Sequence, residues 1–350
     1  MPSSGDGRRQ EGNDTRRRAA RMADVARVAG VLHQTVSRVL NDSMHVRPET
    51  RERVLSAMRE LDYRPNPVAR ALVTGRSRTL GVVSFDTTLY GPASTLFGIE
   101  RAAHEEGYFV SIVSLRSLDL ASVLTAVERL RAQGVDGILI IAPQEAAVQA
   151  VPHVPPDMPV VAVEAGPDEA VPVVTVDQFA GAGRATRHLL ELGHRTVWHI
   201  AGPTEWLEAR QRIAGWRSAL EAAGAEVPPL FSGDWSARSG YELGQRLGTL
   251  PEVTAVFAAN DQMALGLLRA LNEVGREVPR EVSIVGFDDI PEAPYFTPPL
   301  TTVRQDFNEL GRQSLMLLLD EISSSDRSSS RVVVPPELVI RESTAAPTAR

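Results

Sequence analysis

The sequence predicts an α/β chain: a small all-α helix-turn-helix headpiece at the N-terminus, then a two-lobed body of doubly wound parallel sheets. Three observations lead there. Met22 to Asn41 repeats an apolar spacing of three and four residues on either side of a glycine. From Thr79 onward, short β-branched runs alternate with amphipathic helical stretches. Polar residues suited to holding a ligand stand just past the ends of several of those runs.

In the head, Ala23, Val25, Ala26 and Ala29 share one face of a first short helix. Gly30 supplies the backbone freedom of a tight turn, and Val31 plugs the angle between two helices. His33 to Leu40 repeats the pattern, with Val36, Val39 and Leu40 facing inward. His33, Gln34, Ser37 and Arg38 are left pointing out, a face with no acid and many groups that hydrogen-bond base edges or phosphates. A helical hairpin with an ordinary solvated face fits the same spacing. The charge distribution favours the nucleic-acid reading. Residues 1–76 carry 15 arginines against 9 acids, a net of +6, whereas the remainder carries 22 against 35, a net of −13. A basic head on an acidic body is the asymmetry expected when one end meets a polyanion. Residues 1–20 have almost no apolar content and read as a disordered tail.

Pro48 suits the first turn of a third helix, Glu49 to Leu61, whose stripe of Val54, Leu55, Met58 and Leu61 closes a small core. In Asp62 to Ser77, Pro65 and Pro67 break the chain, Asn66 can cap, and Val68 to Val73 is a short helix-competent run before Gly75. So short a helix is marginal alone, which suits a segment that folds in one state and not in another. By composition alone, an ordinary interdomain linker is the better fit.

The body reads as strands at Leu80–Phe85, Phe109–Ser114, Gly137–Ile141, Val160–Val163, Pro172–Val176, Thr196–Ala201, Ala255–Ala258 and Ser283–Gly286. Helices fall at Thr95–Glu106, Ala121–Ala132, Phe179–Leu192, Ala209–Ala223, Tyr241–Leu247 and Gln262–Val274. Two runs of such units imply two parallel sheets, with the ligand in the cleft between lobes. Glu164 follows VVAV, Asn260 and Asp261 follow AVFAA, and Asp288 and Asp289 follow SIVGF. Arg210 and Arg212 lie in EARQRIAGW, and Trp235 in GDWS. Carboxylates, an amide and a guanidinium match vicinal hydroxyls, and an indole covers the apolar side of a pyranose. Capping of the next turn or helix explains Asp288 and Asn260, taken singly, just as well.

Other signals exclude rather than assign. No apolar run approaches a membrane span, and the N-terminus lacks the apolar core of a signal peptide. With no cysteine, disulfides and thiolate metal sites are excluded, and a reducing cytoplasm is expected. There is no P-loop, no G-x-S-x-G and no HExxH, and GAGRAT (181–186) is a broken dinucleotide motif read as a helix start. His188, His194 and His199 fall on separate elements, so neither metal nor cofactor is expected. SSSDRSSS at 323–330 reads as a flexible connector between the lobes.

Longer motifs carry a resemblance: DVARVAGV…QTVSRVLN, RPETRERVLSAMRELDYRPNPVARAL, ELGHRTVWHIAGP, RIAGW, GDWSARSGY, ANDQMALG, VSIVGFDD and PPLTTVRQDF. Over residues 22 to about 344 the chain resembles the lactose/galactose repressor family of bacterial transcription regulators. The resemblance implies a homodimer on double-stranded operator DNA, with a body like a periplasmic sugar-binding protein that takes a small sugar or glycoside between its lobes. His33, Gln34 and Arg38 match base-reading positions, and Asn41 and Asn66 match backbone-contacting ones. Thr35, Ser37, Ala69 and Leu72 complete the DNA-facing set, Leu72 entering the minor groove from a hinge helix, Asn66 to Val73. Phe85, Glu164, Arg212, Trp235, Asn260, Asp288, Gln305 and Phe307 match positions lining the family's sugar pocket. Leu32 stands where a small hydroxyl residue usually caps the recognition helix, and Phe85, Glu164 and Glu208 depart from the pocket pattern. No leucine heptads follow Thr344, so a dimer rather than a tetramer is expected.

The domain reading is a tail (1–20), a helix-turn-helix domain (21–65), a hinge (66–76), an effector and dimerisation body (77–344) and a final tail (345–350). Lobe one takes about 77–176 and 304–331; lobe two takes about 177–303 and 332–344. A sugar-responsive repressor, released by a small sugar or glycoside such as a galactoside or glucoside, accounts for both head and cleft. A secreted sugar-binding protein leaves the head unexplained. A glycosidase using Glu164 and Asp288 as paired carboxylates has no use for that head either.

Overall fold

A computed structural model describes residues 20–40, 45–64, 71, 75–115, 117, 119–166, 171–324 and 329–348. Asn41, Asn66, Ala69, Leu72 and, but for Ala71, the helix expected over 68–73 lie outside the described residues, as does nearly all of the 1–20 tail. The chain divides into two compact units, Met1–Ser77 and Arg78–Arg350.

The first unit contains α1 (Met22–Ala29), α2 (His33–Leu40) and α3 (Pro48–Glu60). Asp24 accepts from the Arg21 N–H at 2.9 Å, which satisfies one of the orphan donors at the start of α1. Gly30 ends α1 at φ 62°, and the Val31 N–H returns to the Ala26 carbonyl at 3.0 Å. Val25, Ala26, Ala29, Val36, Val39, Val54 and Ala57 form the core, with Val31, Leu40, Leu55, Met58 and Leu61 packed around it. Ala23, expected on the inner face, is exposed instead. Leu32 leads into α2 with its side chain 76% exposed, and only its carbonyl caps, accepting from Thr35 N at 2.8 Å.

The second unit holds two six-stranded sheets. The first has the order β11-β5-β4-β3-β1-β2, with β1 Thr79–Phe85, β2 Phe109–Leu115, β3 Gly137–Ile141, β4 Val160–Val163, β5 Val173–Val176 and β11 Arg331–Val334. The second runs β12-β10-β9-β8-β6-β7, with β6 Trp198–Ala201, β7 Phe231–Ser232, β8 Ala255–Ala258, β9 Ser283–Asp288, β10 Thr301–Arg304 and β12 Glu337–Val339. The strand pairings are parallel, as expected of doubly wound sheets, except for β10 with β12. The antiparallel β12 is an edge strand reached directly from β11, so no crossover helix is required.

Central strands such as β3 and β4 are buried on both faces, as sheets covered by helices on each side must be. On the first sheet, α4 (Tyr90–Glu105) and α11 (Phe307–Ser323) cover the Leu80, Leu139 and Val161 face. The Val83, Ile138 and Ile140 face is covered by α5 (Leu120–Ala132) and the short α6 (Glu145–Val148). The second sheet is sandwiched by α7 (Gln178–Glu191) with α8 (Leu207–Ala222), and by α9 (Ala237–Gly248) with α10 (Asp261–Glu273). Gly98 lets α4 touch α11: a Cβ there would lie 2.2 Å from the Phe307 carbonyl oxygen.

Several boundaries move for local reasons. Helix α4 begins at Tyr90 because Pro92 is tolerated in a first turn. Helix α9 begins at Ala237 because Ser236 caps it, accepting from Ser239 N. The chain passes between sheets after β5, after β10 and at Pro335–Pro336 after β11. The expected connector between lobes, 323–330, stands between α11 and β11, which belong to the same lobe, and its residues 325–328 lie outside the described residues. Among the described residues no helix is long and apolar enough to cross a membrane.

Candidate functional site

In the head, α2 presents His33, Gln34 and Arg38 as exposed side chains, with Thr35 and Ser37 half-buried beside them. Val36 and Val39 anchor the opposite face in the core, so the polar set is held on a short rigid element. No acidic residue occupies the first turn of α2, so no side-chain carboxylate offsets the positive end of its dipole.

The body encloses a cavity of about 230 Å³ at the carboxyl ends of both sheets. Glu164 follows β4, Trp235 follows β7, Asn260 follows β8, and Asp288 ends β9. Arg212 reaches in from α8, while Gln305 and Phe307 sit where the chain passes from β10 to α11. Seven of the eight expected residues thus line one cavity. Phe85 does not: its ring packs against the hydrophobic cores of both lobes, 6.1 Å from that of Trp206. Arg210 also points elsewhere, pairing at the surface with Glu145 at 3.1 Å. Asp261 and Asp289 brace the strand ends, Asp261 accepting from Thr302 and Ile290, and Asp289 from Arg304 and Arg341.

A ring of three hydrogen bonds, closed by one ion pair, underlies the cavity. Arg212 Nε donates to Gln178 Oε1 at 2.9 Å, Gln178 Nε2 to Gln305 Oε1 at 2.8 Å, and Gln305 Nε2 to Asp288 Oδ1 at 2.7 Å. Arg212 Nη2 lies 3.7 Å from the same Asp288 oxygen, and Nη1 donates to the Ala259 carbonyl. All four side chains are buried, and the guanidinium stacks over Phe287 at 3.8 Å from the ring centre. A buried charge persists only where such partners replace water.

The polar groups are held at a backbone cost. Glu164, Trp235 and Asp288 have φ of 59°, 73° and 110°, the left-handed region that non-glycine residues rarely adopt. Trp235 lies flat on Gly202, where a Cβ would come within 2.2 Å of the indole. Asn260 secures that loop by donating to the Trp235 carbonyl at 3.0 Å, and its Oδ1 caps α10 through Met263 N at 2.8 Å. Both of its polar groups are thus engaged within the protein. Glu164 accepts from the Thr175 hydroxyl at 2.9 Å and from Val176 N at 3.2 Å. Burial outweighs those bonds and pushes its carboxyl up to about 7, and burial pushes Asp288 up to about 6 against the pull of Arg212.

Several lining residues have no counterpart in the sequence reading: Tyr90, Thr95, Trp206 and Gln262, together with Glu208 as a lining group. All but Thr95, in the second turn of α4, sit in the loop or first turn after a strand, the positional rule that found Glu164 and Asp288. The two lobes also meet beside the cavity, where Leu207 N donates to the Pro143 carbonyl at 2.8 Å.

Comparison with known proteins decides the family. Residues 21–66 match the model described as bacterial regulatory proteins, lacI family, and residues 186–344 match a periplasmic binding protein-like domain. The lactose operon repressor of Klebsiella pneumoniae is 35% identical over 329 residues, 93% of either chain. The chain belongs to the lacI family. A solved lac repressor dimer bound to operator and the anti-inducer ONPF superposes with a TM-score of 0.83 at 34% identity, covering 94% of this chain and 100% of that one. A complex of the transcriptional regulator CelR with cellobiose gives 0.69 at 34% identity, covering 93% and 99%. This lacI-family chain is thus a DNA-binding transcriptional repressor with a periplasmic-binding-like body, and the relatives it matches are regulators rather than enzymes.

Proposed function

We propose that this repressor binds a pseudo-palindromic operator as a homodimer in the cytoplasm and leaves it when a small sugar or glycoside fills the body cavity. In this reading His33, Gln34 and Arg38 meet base edges, Thr35, Ser37, Asn41 and Asn66 position the head, and Ala69 and Leu72 serve a hinge in the minor groove. The effector is held by Glu164, Arg212, Trp235, Asn260, Asp288, Gln305 and Phe307.

The observation that carries the proposal is the origin of the cavity wall. Tyr90, Thr95 and Glu164 come from the first lobe, and Trp206, Trp235 and Asp288 from the second. A ligand held by both lobes favours one lobe arrangement, and an inducer works only through such a preference. The dimer reading draws support from the edge strand β2 and from α4, where Phe109 and Phe97 are 76% and 60% exposed.

The test is retardation of genomic operator fragments by the full chain, at low salt, with and without a panel of galactosides and glucosides. Retardation of an enriched fragment, reversed by one sugar, is the expected result. Failure to retard any fragment overturns the DNA reading, and retardation that no glycoside reverses overturns the effector reading.

A further inference from the structure

The cavity contains more carboxylate than its single guanidinium answers. The donors of Arg212 go to Gln178 and the Ala259 carbonyl, with Asp288 alongside. Glu164 is held by Thr175 and Val176. Glu208, in the first turn of α8, lines the cavity with no partner among the described residues beyond its own backbone N–H. The groups that face it are Glu164 from the end of β4, Asp288 from the end of β9, and Arg212 one turn further along α8.

A second observation is independent of charge. Trp235 is 8% exposed, yet its indole Nε1 has no acceptor, and the buried Oε1 of Gln262 has no donor. Both residues line the same cavity, and an unmet buried donor and acceptor in a ligand cavity await ligand groups. Tyr90, Trp206, Trp235 and Phe307 supply aromatic walls.

We propose that the effector is a polyol bearing a protonated amine, an amino sugar or its glycoside, whose ammonium rests against Glu208 and Glu164 while a hydroxyl bridges Trp235 Nε1 and Gln262 Oε1. This rests on the effector-site reading above. An ammonium brings three donors and one positive charge to a site rich in acceptors, and bonds between charged partners are about twice as strong as neutral ones. A neutral sugar brings no positive charge, and the surplus carboxyl groups keep their protons beside it. Burial, with the Glu164 charge added, pushes Glu208 up to about 8. A cation in contact favours the ionised form, so an amine ligand drives protons off Glu208 and Glu164 as it binds.

The test is calorimetric titration of the full chain near neutral pH, in two buffers of different ionisation enthalpy. The probes are glucosamine, galactosamine and the β-1,4-linked disaccharide of glucosamine, each beside its N-acetyl form and its hydroxyl form (cellobiose for the disaccharide). One amine form is expected to bind roughly ten- to a hundredfold more tightly than its N-acetyl and hydroxyl congeners, with proton release. In Glu208→Gln that preference should collapse; the comparison among ligands on the unaltered chain stands even if that variant does not fold. A hydroxyl or N-acetyl form binding as well as the amine overturns this inference while sustaining a sugar effector. If no probe of any kind binds, the effector reading itself falls, and this inference with it.

Discussion

Gln178 donates to Gln305 across 2.8 Å, and each residue stands at a point where the chain passes between the two sheets. Gln178 opens α7 directly after β5, and Gln305 follows β10 just before α11. The third passage is tied to the first, since Asp177 N donates to the Val334 carbonyl at 3.0 Å. Because the same two glutamines complete the Arg212–Asp288 ring, the floor of the cavity and the connection between lobes are one hydrogen-bonded unit.

Breaking that unit should therefore uncouple the effector from the lobes. Gln178→Ala or Gln305→Ala leaves a buried partner unpaired at a cost of about 1–3 kcal/mol, and the sugar concentration needed for half-release of operator should rise roughly five- to a hundredfold. The double variant should cost clearly less than the two single effects added together, since either one opens the ring. Additive effects in a double-mutant cycle on half-release would show that the ring does not act as a unit.

Two arginines on one helix should behave oppositely. Arg212→Gln strips a buried carboxylate of its charge partner and should destabilise the body by about 3–5 kcal/mol while abolishing sugar-driven release. Arg210→Gln removes a solvent-exposed pair with Glu145 and should change stability by about 1 kcal/mol or less. Chemical denaturation of both variants makes the comparison; equal losses would place Arg212 outside any charge network.

The buried carboxylates set a pH dependence whose sign follows from their direction of shift. Glu164 is held at about 7 in the fold against 4.5 ordinarily, so the folded chain binds this proton more tightly than the unfolded chain does. Stability through this group is then highest below pH 4.5 and is lost as pH rises through about 7. Glu164→Gln removes that titration while His188, His194 and His199, whose shifts are downward, titrate alike in both proteins. The melting temperature of the variant minus that of the unaltered chain should accordingly grow between about pH 5 and pH 8. A flat difference would mean that Glu164 is not forced toward its neutral form.

On the head, replacing Gln34 or His33 with alanine should reduce discrimination between operator base pairs by about 1–3 kcal/mol. For Gln34→Ala the slope of affinity against salt should stay nearly constant, because a neutral amide releases no counterion from phosphate. Arg38→Ala should lower that slope by roughly one unit if the guanidinium displaces a counterion. Salt-dependent titration of operator and of scrambled duplex separates these outcomes, and a fall in slope for Gln34→Ala would count against base reading by that residue.

Local order was written in the residues themselves. Apolar periodicity placed α1 to α3 and most of the βα units, because facing a core at every third or fourth position, or burying both faces of a strand, is a property of the residue order. The polar side chains at strand ends marked Glu164, Asn260 and Asp288 for the same reason. Closure of the cavity was decided elsewhere. Trp206, Glu208 and Gln262 look like ordinary loop and first-turn residues until the second sheet sets β6 beside β8 and brings them to one wall. Phe85 shows the converse, a well-placed strand-end residue whose ring packs against the hydrophobic cores of both lobes. The Gln178–Gln305 bond spans 127 positions, and β12 pairs antiparallel to β10 through a connection that local pattern does not encode. Short-range periodicity records which face a side chain takes. Which distant side chains share a site is settled by packing two lobes against each other around three crossings of the chain.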